Sequence, residues 1–118
     1  MRKLLIVVSL LALPLAATAA HAHAFLDHAS PLVGSSVASA PSEVVLTFTQ
    51  NLEPAFSSID VTGPDGARVD QGKASVSGNT MRVGIKSAGP GSYKVRWHVL
   101  SVDTHKTEGS FGFTVGGH

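Results

Sequence analysis

Cysteine is absent from the 118 residues of this chain. Its absence excludes a disulfide framework, a thiolate zinc site, an iron–sulfur cluster and a cysteine nucleophile. Charged residues are also scarce, at 14% of the chain. Arg2 and Lys3 supply two of the nine basic residues, so the remainder of the chain has seven basic residues against eight acidic ones. No basic stripe is left to bind nucleic acid.

A long membrane-spanning apolar run is missing as well. The apolar stretch at residues 4–17 follows the basic Arg2 and is shorter than the roughly 20 residues that cross a bilayer. The segment Ala20–Ala22 fits the small-x-small cleavage pattern of a secretory signal peptide. We therefore predict a signal peptide at residues 1–22 and an exported mature domain at residues 23–118, which does not span the membrane after cleavage. An uncleaved amino-terminal anchor is the alternative.

The mature segment alternates apolar and polar residues with a period of two, as a half-buried strand does. Val44, Leu46 and Phe48 fall on one face, and the same alternation recurs at residues 59–61, 81–85, 93–99 and 111–115. Turn-forming residues such as those at 63–66 separate these runs. Close spacing of short strands predicts an all-β sandwich or barrel of about seven strands, with Trp97 in its core.

His23 becomes the first residue if the leader is cut after Ala22. A terminal histidine offers a metal ion two nitrogen atoms, its α-amine and its imidazole, which together form a chelate ring. Two alternatives stay open. The end of the chain can instead be frayed and solvated, as most termini are. A cut after Ala20 would expose His21, and His23 would then stand at the third position.

Asp103 and His105 follow the predicted strand that contains Trp97. In an extended segment, side chains at i and i+2 point to the same side, so these two can converge on one ion. Alternatively, Asp103 orients the imidazole, or the pair is a turn residue beside a surface histidine. His98 alternates with Trp97 and is expected to face away from the core. His28 lies near the start and could reach the same ion, but its direction cannot be read.

With these residues identified, the chain resembles the CopC family of periplasmic copper-binding proteins. The resemblance rests on an ordered set of motifs: His23 ahead of Pro31, the segments at 45–50 and 91–97, and Ser101–His105 followed by Gly109. It implies a Greek-key β-barrel or sandwich of immunoglobulin-like character. It also implies one copper(II) ion per chain, bound by the amine and imidazole of His23 together with Asp103 and His105.

The chain departs from the family pattern at two positions. Gln50 is neutral where some members have an acidic residue close to the copper site. Met81 is the only methionine of the mature segment, and a single thioether cannot form a soft copper(I) site. The donor set of imidazole, amine and carboxylate suits copper(II) instead.

These features predict a periplasmic protein that carries or buffers copper(II) and has no catalytic turnover. An inner-membrane copper transport protein is the partner that the resemblance suggests. Two other classes remain as alternatives. One is a copper-dependent oxidase of the amino-terminal-histidine type, and the other is a metal-free structural β-module with incidental histidines.

Overall fold

The computed structural model describes residues 25–116. The predicted signal peptide, His23 and the carboxy-terminal His118 lie outside the described residues. Eight strands and one 3₁₀ turn at Pro54–Phe56 make up the regular structure of this part of the chain. The strands are β1 (Leu26–Ser30), β2 (Ser36–Val37), β3 (Glu43–Phe48), β4 (Ser58–Thr62), β5 (Asp70–Ser77), β6 (Thr80–Ile85), β7 (Gly91–Leu100) and β8 (Lys106–Val115).

The strands form two sheets of four, with the orders β1-β3-β6-β5 and β2-β8-β7-β4. All pairs are antiparallel except β2 with β8, which is parallel. The predicted all-β sandwich is confirmed. Between residues 25 and 116, no helix is long and apolar enough to cross a membrane.

The inward-facing side chains of both sheets form one hydrophobic core, as the period of two predicts. The buried Trp97 ring meets Phe48 edge to face, with ring centroids 5.1 Å apart, and Tyr93 stacks on Phe113 at 5.2 Å. Gly109 lies opposite Trp97 in the β7–β8 register. The absence of a side chain at Gly109 leaves room for the indole. Trp97 is buried among the core residues, so its predicted core position is confirmed.

The number of strands is eight rather than about seven, because three strands lack the alternating signal. β2 has only two residues. β1 has a register shift between Leu26 and His28, which breaks the two-residue period. β5 is an edge strand with no fully buried residue, so its sequence is mostly polar.

One end of the sandwich brings three separate segments together. The Glu53 amide donates to the Leu100 carbonyl at the end of β7, and Leu52 forms an isolated bridge with Ser101. The Thr49 amide donates to the carbonyl of Phe25, where the described chain begins. The segment 49–53 therefore links the start of the described chain to the turn between β7 and β8.

Candidate metal centre

The turn between β7 and β8 is a tight hairpin loop. The Thr104 amide donates to the Ser101 carbonyl at 2.8 Å, and the Ser101 amide donates to the His105 carbonyl at 3.0 Å. Thr104 has a φ of 70°, in the left-handed region that β-branched residues disfavour. The expectation of an extended segment is therefore wrong here, because the left-handed residue reverses the chain between Asp103 and His105.

Asp103 and His105 nevertheless face each other across this turn. The Asp103 Oδ1 atom lies 3.3 Å from His105 Nδ1, and the two side chains are 39% and 45% exposed. Nε2 is then the ring nitrogen that does not face Asp103. The loop thus presents a carboxylate and an imidazole side by side, at a place that a dissolved ion can reach.

Ser101 lies beneath this pair and is fully buried, at 0% exposed. Its hydroxyl donates to Asp103 Oδ1, and it also accepts from the His105 amide at 3.3 Å. The hydrogen bond from Ser101 is the main cause that lowers the pKa of Asp103 below its ordinary value, and the contact with His105 adds to it. Partial desolvation acts in the opposite direction. The carboxylate is therefore charged at neutral pH, as a metal ligand must be.

The backbone ties this loop to the segment that contains Gln50. The Val102 amide donates to the Asn51 carbonyl at 3.0 Å, and the Phe25 amide donates to Thr49 Oγ1 at 2.9 Å. Gln50 lies between these two anchor points and is partly buried.

The other histidines have different surroundings. His98 is exposed on the outer face of its sheet, as expected, and its Nδ1 lies 2.9 Å from Glu108 Oε1 on β8. His28 pairs in register with Thr47 on β3, and its Nδ1 lies 3.4 Å from Asp27 Oδ2. The carboxylate nearest to each of these rings is thus one other than Asp103.

Two donors do not complete a metal site. No group of three or more histidine, cysteine, aspartate or glutamate side chains that could hold a metal ion occurs within residues 25–116. Asp103 and His105 supply one oxygen and one nitrogen. An ion held at this hairpin would need further ligands from water or from residues outside the described part.

Comparison with known proteins identifies the family. The sequence-family model of the CopC domain matches residues 26–116, which are most of the chain. The chain belongs to the CopC family. This CopC-family chain is 37% identical over 98 residues to the protein YobA of Escherichia coli strain K12, covering 80% of the chain and 79% of YobA. It is 32% identical over 123 residues to the copper resistance protein C of Xanthomonas campestris pv. juglandis, covering 97% of this chain and 96% of that protein.

A solved structure supports the same assignment. The crystal structure of CopC from Methylosinus trichosporium OB3b superposes with a TM-score of 0.74 at 36% identity, covering 81% of this chain and 96% of that one. CopC membership gives the chain a copper-related role. Met81 is buried in the core on β6.

The sequence did not indicate a role for Ser101. Ser101 begins the Ser101–His105 motif, but only its burial and its contact with Asp103 make it part of the site.

Proposed function

We propose that this CopC-family protein binds copper(II) and carries or buffers it in the periplasm, without catalytic turnover. The observation that carries the proposal is the approach of Asp103 Oδ1 to His105 Nδ1, 3.3 Å apart on a partly exposed loop. Two donors held together in this way need little rearrangement to share an ion.

His23 is the third residue of the proposed site. It stands two residues before Phe25 in the sequence, so only a short stretch of chain connects it to the described sandwich. Phe25 pairs with Thr49, and Asn51 in the same segment accepts from Val102 of the loop. This continuity supports an approach of the His23 amine and imidazole to Asp103 and His105.

The chemistry of these donors favours copper(II). Imidazole nitrogen, amine nitrogen and carboxylate oxygen form a tetragonal set, and copper(II) has the highest affinity in the divalent series. One such set supports one ion per chain. Copper(I) prefers soft sulfur ligands, and Met81 is fully buried in the core. We therefore propose that copper(I) and silver bind poorly.

The proposal also includes secretion of the protein and transfer of its copper to a partner. The leader at residues 1–22 supports secretion to the periplasm, which the intact mass of the exported protein tests. The exposure of the Asp103 and His105 side chains supports direct transfer of copper to a partner. We propose an inner-membrane copper transport protein as that partner.

Copper(II) titration of single variants tests the proposed ligands. Asp103→Ala and His105→Ala each remove a donor, so we expect the affinity to fall by at least about 10-fold. His98→Ala is the matched control, because it removes an exposed histidine that also contacts a carboxylate, and its affinity should stay within about two-fold of the unmodified protein. Equal losses for His98 and His105 would refute the assignment. No stoichiometric copper(II) after chelator stripping would favour a metal-free module.

A further inference from the structure

The buried hydroxyl of Ser101 makes contact with both proposed ligand residues. It donates to Asp103 Oδ1, accepts from the His105 amide and lies 3.2 Å from the His105 carbonyl oxygen. Ser101 is fully buried, so water does not compete for these contacts. The hydrogen bond from Ser101 and the approach of His105 Nδ1 both fall on Asp103 Oδ1.

The loop conformation around this hydroxyl is not the one that its local sequence prefers. Thr104 adopts a φ of 70°, in the left-handed region that an L-residue with a branched β-carbon disfavours. Surrounding contacts must hold a residue in such a conformation. The Ser101 hydroxyl contributes two of them, one to the residue before Thr104 and one to the residue after it.

We propose that Ser101 is a positioning residue that sets the Asp103 carboxylate and the His105 ring for copper before the ion arrives. This inference rests on the proposed function. The hydroxyl fixes one rotamer of Asp103 and leaves Oδ2 available to the ion. The conformational entropy of that side chain is then lost during folding rather than during copper binding. Loss of a hydrogen bond that orients a metal ligand, from a residue that does not itself bind the metal, changes metal affinity by about 10- to 100-fold.

The test compares Ser101→Ala with Ser57→Ala. Ser57 is a partly buried serine at the same end of the sandwich; it donates to the Glu53 carbonyl at 2.9 Å and accepts from the Leu100 amide at 3.2 Å. Neither hydrogen bond involves Asp103 or His105. We expect Ser101→Ala to weaken copper(II) binding by about 10-fold or more and to change the electron paramagnetic resonance spectrum of the copper form. Ser57→Ala should change neither, whatever its effect on the melting temperature.

A second measurement does not depend on whether the Ser101 variant folds. In the unmodified metal-free protein, NMR coupling constants should report a single χ1 rotamer for Asp103. Rotamer averaging at Asp103 would overturn the inference. So would a Ser101→Ala protein that keeps its copper(II) affinity within about two-fold. If Asp103→Ala and His105→Ala also keep their affinity, the proposed function itself fails. If only Ser101→Ala does so, the positioning role alone fails.

Discussion

Asp70 is the carboxylate most firmly held by other groups away from the candidate site. Its Oδ1 accepts from Arg68 Nε at 3.0 Å and from the Val61 amide at 2.9 Å, and its Oδ2 accepts from Arg68 at 2.7 Å. The Asp70 side chain is only 5% exposed. The hydrogen bonds from Arg68 are the main cause that lowers the pKa of Asp70, although burial opposes them.

This arrangement predicts a pH-dependent contribution to stability. Because folding lowers the pKa of Asp70, its contribution is complete above the unfolded carboxyl pKa of about 3.9 and is lost as the pH falls through the folded value. Asp70→Asn should lower the free energy of unfolding by about 1–2 kcal/mol at neutral pH, and by less at about pH 3. Urea denaturation at both pH values measures the difference.

Asp60→Asn is the matched control for that experiment. Asp60 also contacts Arg68, at 3.0 Å, but its side chain is 37% exposed. Solvent screening should limit its effect to about 0.5 kcal/mol. An Asp70→Asn penalty that stays constant between neutral and acidic pH would show that charge is not its origin.

The site residues differ in how far the sequence could predict them. Asp103 and His105 have a spacing that indicates a shared ion, and the structure does bring them together. The reason differs from the expected one, since a left-handed Thr104 rather than an extended strand sets their geometry. No sequence rule predicts positive φ at a threonine. Ser101 was missed because its role depends on burial, which arises only from tertiary packing.

At the scale of the element, the β7–β8 hairpin depends on the close fit between Trp97 and Gly109. A β-carbon added at Gly109 would lie 2.5 Å from Trp97 Cζ2 and 2.9 Å from Cε2. Both distances are shorter than any normal contact, so the indole would have to move within a packed core.

Gly109→Ala should therefore destabilise the protein by about 1–3 kcal/mol, the usual cost of overpacking a core. Thermal unfolding followed by the fluorescence of Trp97, the only tryptophan, measures this loss. Gly84→Ala on β6 is the control, because the nearest atoms to its added β-carbon are 3.8 Å away. Equal melting temperatures for the Gly109 and Gly84 variants would contradict the tight fit.

The strands found from the sequence are those whose buried face is continuous. β3, β6 and β7 alternate buried and less buried residues along their whole length, and this pattern is visible as a period of two. β5 lies at a sheet edge with both faces largely exposed, so burial does not select apolar residues there. Its pairing with β6 could not be read from composition.

At the scale of the whole molecule, the fold does not rely on the proposed metal site. The core lies between the sheets, whereas Asp103 and His105 lie on an exposed loop at one end. We therefore expect the metal-free protein to fold, with a circular dichroism spectrum of β-sheet and a cooperative thermal transition. Copper(II) should raise the melting temperature, because it binds the folded state. A disordered spectrum after chelator treatment would contradict this expectation.

The proposed copper(II) site consists of an amino-terminal His23 together with Asp103 and His105. The most direct test compares the copper(II) affinity of a protein beginning at His23 with that of a protein carrying one added residue before it. The extension removes the α-amine from the chelate ring of His23 and leaves the sandwich and the loop unchanged. We predict a loss of affinity of at least about 10-fold. An unchanged affinity in the extended protein would contradict the role of the His23 amine as a copper(II) ligand.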